Sequence, residues 1–159
     1  MRTPKVLGLA VVSLTLAACG GSRSPEINPQ DQVVTNRWNA TLATPPELAG
    51  AMQLKGTGWM APDPDDPNKT RAHLSITNAV PGGEHPWHVH IGRCGMDKGI
   101  FGPADAYRPL KIGDEGKALS DAEIPAPAPT SGEYFINVHA SQNNMRTIIA
   151  CGNLASPVR

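Results

Sequence analysis

"RAHLSITNA", residues 71–79, decides the fold class of this 159-residue chain. Arg71, His73, Ser75 and Thr77 alternate with Ala72, Leu74 and Ile76. A period of two puts the apolar side chains on one face of an extended segment and the polar ones on the other, the mark of a half-buried strand. Working outward, similar short segments occur at "WNATLA" (38–43), "QLKGTGWMA" (53–61), "HPWHVHIG" (85–92), "GKALSDAEI" (116–124), "EYFINVHAS" (133–141) and "TIIACGNL" (147–154). Turn clusters separate them: "APDPDDPNK" (61–69), "PGGE" (81–84), "GDEG" (113–116) and "PAPAPTSG" (125–132). Such Pro- and Gly-rich punctuation ends strands and starts reversals. With 16 Pro and 16 Gly, few windows can support a stable helix. The expected class is all-β, an antiparallel β-sandwich or barrel.

The first 36 residues follow different rules. Arg2 and Lys5 precede an apolar run, Val6–Leu16, too short to span a bilayer, so residues 1–18 read as a signal peptide. The run ends in Leu16-Ala17-Ala18-Cys19, which resembles a bacterial lipobox, and Cys19 is the expected lipidation site. The alternative is a plain secretory peptide in which Cys19 is lost or left free. Gly20 and Gly21 after the cysteine favour an outer-membrane address facing the periplasm. Residues 19–36 are polar, with Pro and Gly and no apolar period, as suits a flexible tether. The domain is expected over 37–159.

Removing residues 1–18 takes away Arg2 and Lys5, so Lys+Arg falls from 14 to 12 against 14 Asp+Glu. The remainder is slightly acidic and carries no basic stripe interleaved with aromatics, which argues against nucleic acid. Cys94 and Cys151 remain, 57 positions apart. In an exported chain a disulfide is the default for such a pair, with metal ligation as the alternative.

Three of the five histidines fall in "GGEHPWHVHIGRCG", residues 82–95. On a strand, His88 and His90 share one face about 7 Å apart by backbone rise, and can converge on one ion. Trp87, Val89 and Ile91 then point into the opposite layer. The bland alternative is two polar residues on a solvent face. His139, in Asn137-Val138-His139, lies on another strand that a sandwich can bring alongside, and three imidazoles without a thiolate suit Cu(II) or Zn(II). Met96 and Met145 lie near these motifs and are candidates for a soft ligand, while the methionines are too scattered for a thioether run and are expected to pack. Asp63 to Asp66 lacks calcium-loop spacing and reads as a solvated turn.

"HPWHVHIGRCG", "GPADAYRP", "GDEGKALSDAEI", "NVHAS" and "IACGNL" occur in the order of the copper/zinc superoxide dismutase family, and the chain resembles it over residues 50–154. The resemblance implies a Greek-key sandwich of immunoglobulin-like type, copper ligands at His88, His90 and His139, and a Cys94–Cys151 disulfide. It makes His85 a neighbour of the site and Asp114-Glu115-Gly116 a structural turn. It implies a catalytic role for an arginine before the second cysteine. Here Arg146 is five before Cys151, not three; both offsets are odd, so strand parity keeps Arg146 on the copper face.

The departures concern zinc. Where the family carries Gly-Pro-His, with a histidine bridging copper and zinc, this chain has Gly102-Pro103-Ala104. His73 precedes the His88/His90 motif and cannot replace zinc-loop ligands in order, so zinc is not expected. "SGEYFINVHAS" (131–141) also resembles the chordin-type (CHRD) domain, through Tyr134, Asn137 and His139. Three readings follow: a copper-only superoxide dismutase, a periplasmic protein that buffers copper without turnover, or a CHRD-like structural module. The expected partners are superoxide or copper ion and a membrane reached through the lipid, with a homodimer left open.

Overall fold

The computed structural model describes residues 36–157; residues 1–18, expected to be a signal peptide, Cys19 and nearly all of the expected tether (19–36) lie outside the described residues. Seven strands match the seven segments. They are β1 (Trp38–Ala43), β2 (Lys55–Pro62), β3 (Thr70–Thr77), β5 (Trp87–Arg93), β8 (Ala118–Ile124), β9 (Tyr134–Ser141) and β10 (Asn144–Leu154). Three further strands were not foreseen: β6 (Met96–Ile100) and the two-residue β4 (Glu84–His85) and β7 (Leu110–Lys111). Among the described residues no helix is long and apolar enough to cross a membrane.

Eight strands form one curled antiparallel sheet in the order β6-β5-β9-β10-β1-β2-β3-β8, and β4 pairs with β7 apart from it. The chain leaves β3 for β5, returns from β6 to β8, and crosses again from β8 to β9. These crossings give the Greek-key sandwich or barrel expected from the sequence. β1 and β10 join the two halves through Ala43 opposite Cys151, helped by a bridge between Asn39 and Ala155.

Alternation decides what is buried. In β3, Ala72, Leu74 and Ile76 are in the core, as the pattern of 71–79 requires. Trp38, Met60, Trp87, Val89, Ile136 and Val138 join them from other strands. The layers meet so closely that a Cβ on Gly58 of β2 would lie 2.5 Å from Ile136 Cδ1 of β9. Only glycine leaves room for that crossing.

The histidine strand departs from its expected pattern. Trp87, His88, Val89 and His90 are all buried, so the His88/His90 face is covered and not solvent-facing. Ile91, expected in the core, is 39% exposed. The cause is local: Gly92 has φ +112°, and the β5–β6 pairing shifts register between His90 and Gly92, so alternation fails where the strand turns into its hairpin. The methionines divide. Met60 is fully buried, whereas Met96 is 61% exposed and does not pack. Asp63 is not solvated: it is buried, accepts hydrogen bonds from the Asp65 and Asp66 amides and pairs with Arg71, which makes it a turn anchor.

Candidate metal centre

The register of β5 against β9 assembles the site. His88 lies opposite Asn137 and His90 opposite Phe135, while the amide of His139 bonds the carbonyl of Pro86. The three imidazoles therefore rise from one face of two adjacent strands, on the side away from Trp87, Val89, Ile136 and Val138. All three are about 95% buried. Each offers one ring nitrogen to a cluster in which these atoms lie within 4.8 Å of one another. Three points so spaced share a centre within about 2.8 Å of each, so a contraction of under 1 Å reaches metal–imidazole bonding distance.

The outer ring nitrogens of His90 and His139 are already engaged. His90 Nδ1 donates to Asp97 Oδ1 at 3.0 Å, and His139 Nδ1 donates to the Met145 carbonyl at 2.7 Å. This fixes both tautomers and leaves each Nε2 with its lone pair, as ligand histidines require. His90 Nε2 is buried with no hydrogen-bond partner. His139 Nε2 lies 3.2 Å from His88 Nδ1, so without a metal these two atoms share one proton. A buried cluster of lone pairs holding a single proton suits a cation. Burial foremost, helped by the neighbouring His139 and His90, pushes the His88 pKa down to about 4. Burial lowers His139 as well. Both rings are thus neutral near pH 7, the state in which imidazole binds metal.

Asp97 was not foreseen from the sequence. It arrives on β6, which folds back on β5 through a turn at Cys94-Gly95, with Arg93 opposite Met96 and Gly92 opposite Asp97. Gly95 supplies the φ of +83° that this tight turn needs. Asp97 is half-exposed; burial opposes its charge, but hydrogen bonds from the Gly99 amide and His90 outweigh this and hold its pKa below the usual carboxylate value. Phe135 and Tyr107 were also missed. Phe135 stacks on the His90 ring at 5.2 Å, and Tyr107 meets the His88 ring edge-on at 5.2 Å. The two residues fill space that solvent would otherwise take.

Cys94 and Cys151 form the disulfide, Cα atoms 6.0 Å apart, which pins the β5–β6 turn to β10 and withdraws both thiols from ligation. His85 stays outside the triad and donates through Nδ1 to the carbonyl of Ala140, the residue after His139. His73 pairs with Asp121 on the other half of the sheet. The turn at Asp114-Glu115-Gly116 is present, with Gly116 at φ +68°.

A groove of about 870 Å³ opens onto the centre, lined among others by Asn137, His139, Met145, Arg146 and the disulfide cysteines. Arg146 is exposed in this groove, and its guanidinium makes no hydrogen bond or ion pair among the described residues. The parity argument for it does not hold. β10 shifts register against β9 between Asn144 and Ile148 and again between Ile148 and Ala150. Odd and even offsets lose their meaning across such bulges. Arg146 lines the groove from this irregular stretch, next to Met145, whose carbonyl accepts from His139 Nδ1.

No family model matches the chain, and no curated protein matches it. What the site can do follows from its own atoms. It is a buried three-histidine group able to hold a metal ion, joined to solvent by a groove with an unpaired cation at its rim.

Proposed function

We propose that this chain is an exported, lipid-anchored copper protein of the bacterial cell envelope, with a copper-only superoxide dismutase as its activity. The observation that carries this reading is the convergence of three buried imidazoles, with the outer nitrogens of His90 and His139 held by Asp97 and the Met145 carbonyl. Three imidazoles with no thiolate favour Cu(II), the tightest-binding divalent ion of its row. Met145, beside His139 in the groove, offers a thioether to the softer cuprous ion. Copper held there supplies one-electron exchange, by which two superoxide anions and two protons become dioxygen and hydrogen peroxide.

The chain's own residues supply the rest. Asp97 orients His90 and raises its basicity; Phe135 and Tyr107 exclude water from behind the rings. Arg146 draws a small anion into the groove, by a field that salt weakens. Ala104, where the resemblance places a bridging imidazole, carries no proton, so protons reach the anion from groove solvent.

That same alanine favours a second reading, in which the protein buffers copper without turnover. Superoxide consumption by the copper-loaded full chain separates the two. Rapid consumption that falls several-fold in Arg146→Ala supports the dismutase. Retained copper with no consumption supports the buffer, and no retained copper leaves the CHRD-like structural module.

A further inference from the structure

Asn137 is the polar group that the histidine site leaves unexplained. Its side chain is about 95% buried, and Oδ1 has no hydrogen-bond partner. A buried amide oxygen without a donor costs about 1–3 kcal/mol, so its retention calls for a partner. The register shows where it sits. Asn137 lies directly across from His88, two residues before His139 on one face of β9, beside the Phe135–His90 pair, and opposite Cys151 on its other side. His88 and His139 are thus its neighbours on this face, with His90 diagonally across.

None of these neighbours can satisfy an acceptor. The His90 and His139 protons point away, to Asp97 and the Met145 carbonyl, and the proton of His88 Nδ1 is shared with His139. Cys94 and Cys151 are joined to each other. Asn137 also lines the groove that reaches His139. An unsatisfied acceptor oxygen on the same face as a cluster of acceptor nitrogens suits a cation.

We propose that Asn137 is the fourth donor of this centre, its amide oxygen facing the ion that His88, His90 and His139 hold. The proposal rests on the reading of the three histidines as a metal site and adds an oxygen to it. A neutral amide is a weak donor, so it shapes the centre without closing the groove side to a small anion.

The test uses the full chain and Cu(II) salt, with affinity measured by chelator competition and geometry by electron paramagnetic resonance. Asn137→Leu keeps the branched heavy-atom shape and removes the oxygen; the expected result is a roughly 10–100-fold weaker affinity and altered parallel g and hyperfine values. Asn137→Asp keeps the oxygen and adds charge, and is expected to bind roughly tenfold more tightly. This second variant decides the matter if the leucine variant does not fold. Unchanged affinity and spectrum in a folded Asn137→Leu, or no tightening in Asn137→Asp, overturns the proposal while the three-histidine site stands. A wild-type chain that retains no copper overturns both.

Discussion

Acid should destabilise the metal-free protein through His88, and the size of the effect follows from the site. Burial, with the neighbouring His139 and His90, lowers its pKa from 6.5 to about 4, so between those values the unfolded chain binds a proton that the folded chain refuses. Stability therefore rises with pH across this window and is lost as pH falls through it. Integrated, the difference costs about 2 kcal/mol between pH 7 and pH 5 and about 3 kcal/mol by pH 4. His139 is shifted the same way and adds to the loss. The assay is urea unfolding of the chelator-treated chain, disulfide intact, at pH 7 and pH 5. His88→Gln removes the titrating ring, so its stability should fall by about 2 kcal/mol less over the same step. Equal pH dependence in wild type and His88→Gln would refute the claim that this imidazole is held neutral by burial.

Three other predictions concern the frame. Replacing Cys94 and Cys151 together by serine opens a loop of 57 residues. By chain entropy this removes about 4 kcal/mol of stability, measurable as a lowered urea midpoint. Asp97→Ala frees the His90 ring and should weaken metal affinity roughly 10–100-fold in chelator competition, with little change in unfolding. Gly58→Ala drives a Cβ to 2.5 Å from Ile136 Cδ1 and 3.0 Å from the His73 carbonyl. Thermal unfolding should show a loss of about 1–3 kcal/mol from overpacking, with metal affinity retained.

Most of the sheet was legible because its strands obey period two: β3 buries Ala72, Leu74 and Ile76 just where alternation puts them. β6 was not legible, since Met96–Ile100 reads as polar and Gly-containing, and its strand conformation comes from pairing with β5 through the Cys94-Gly95 turn. The same gap hid Asp97, whose role depends on that hairpin. Gly92 and Gly95 flanking Cys94 were the available signal. Ile91 was misplaced because it was assigned by parity next to a register shift that breaks it; Arg146 lines the groove, but its stretch of β10 is likewise too irregular for parity to explain why. His88, His90 and His139 could be named from spacing and strand assignment. The hydrogen bonds that set their tautomers come from a backbone carbonyl and a remote carboxylate, and these appear only once the chain is folded.

The most direct test of the metal centre is copper stoichiometry joined to nitrogen coupling in the electron paramagnetic resonance spectrum of the loaded full chain. One Cu(II) per chain with superhyperfine structure from three imidazole nitrogens, lost when His88, His90 and His139 are changed together to glutamine, is the predicted result. A wild-type chain that retains no copper after dialysis, or a triple variant that retains as much with the same spectrum, would contradict it.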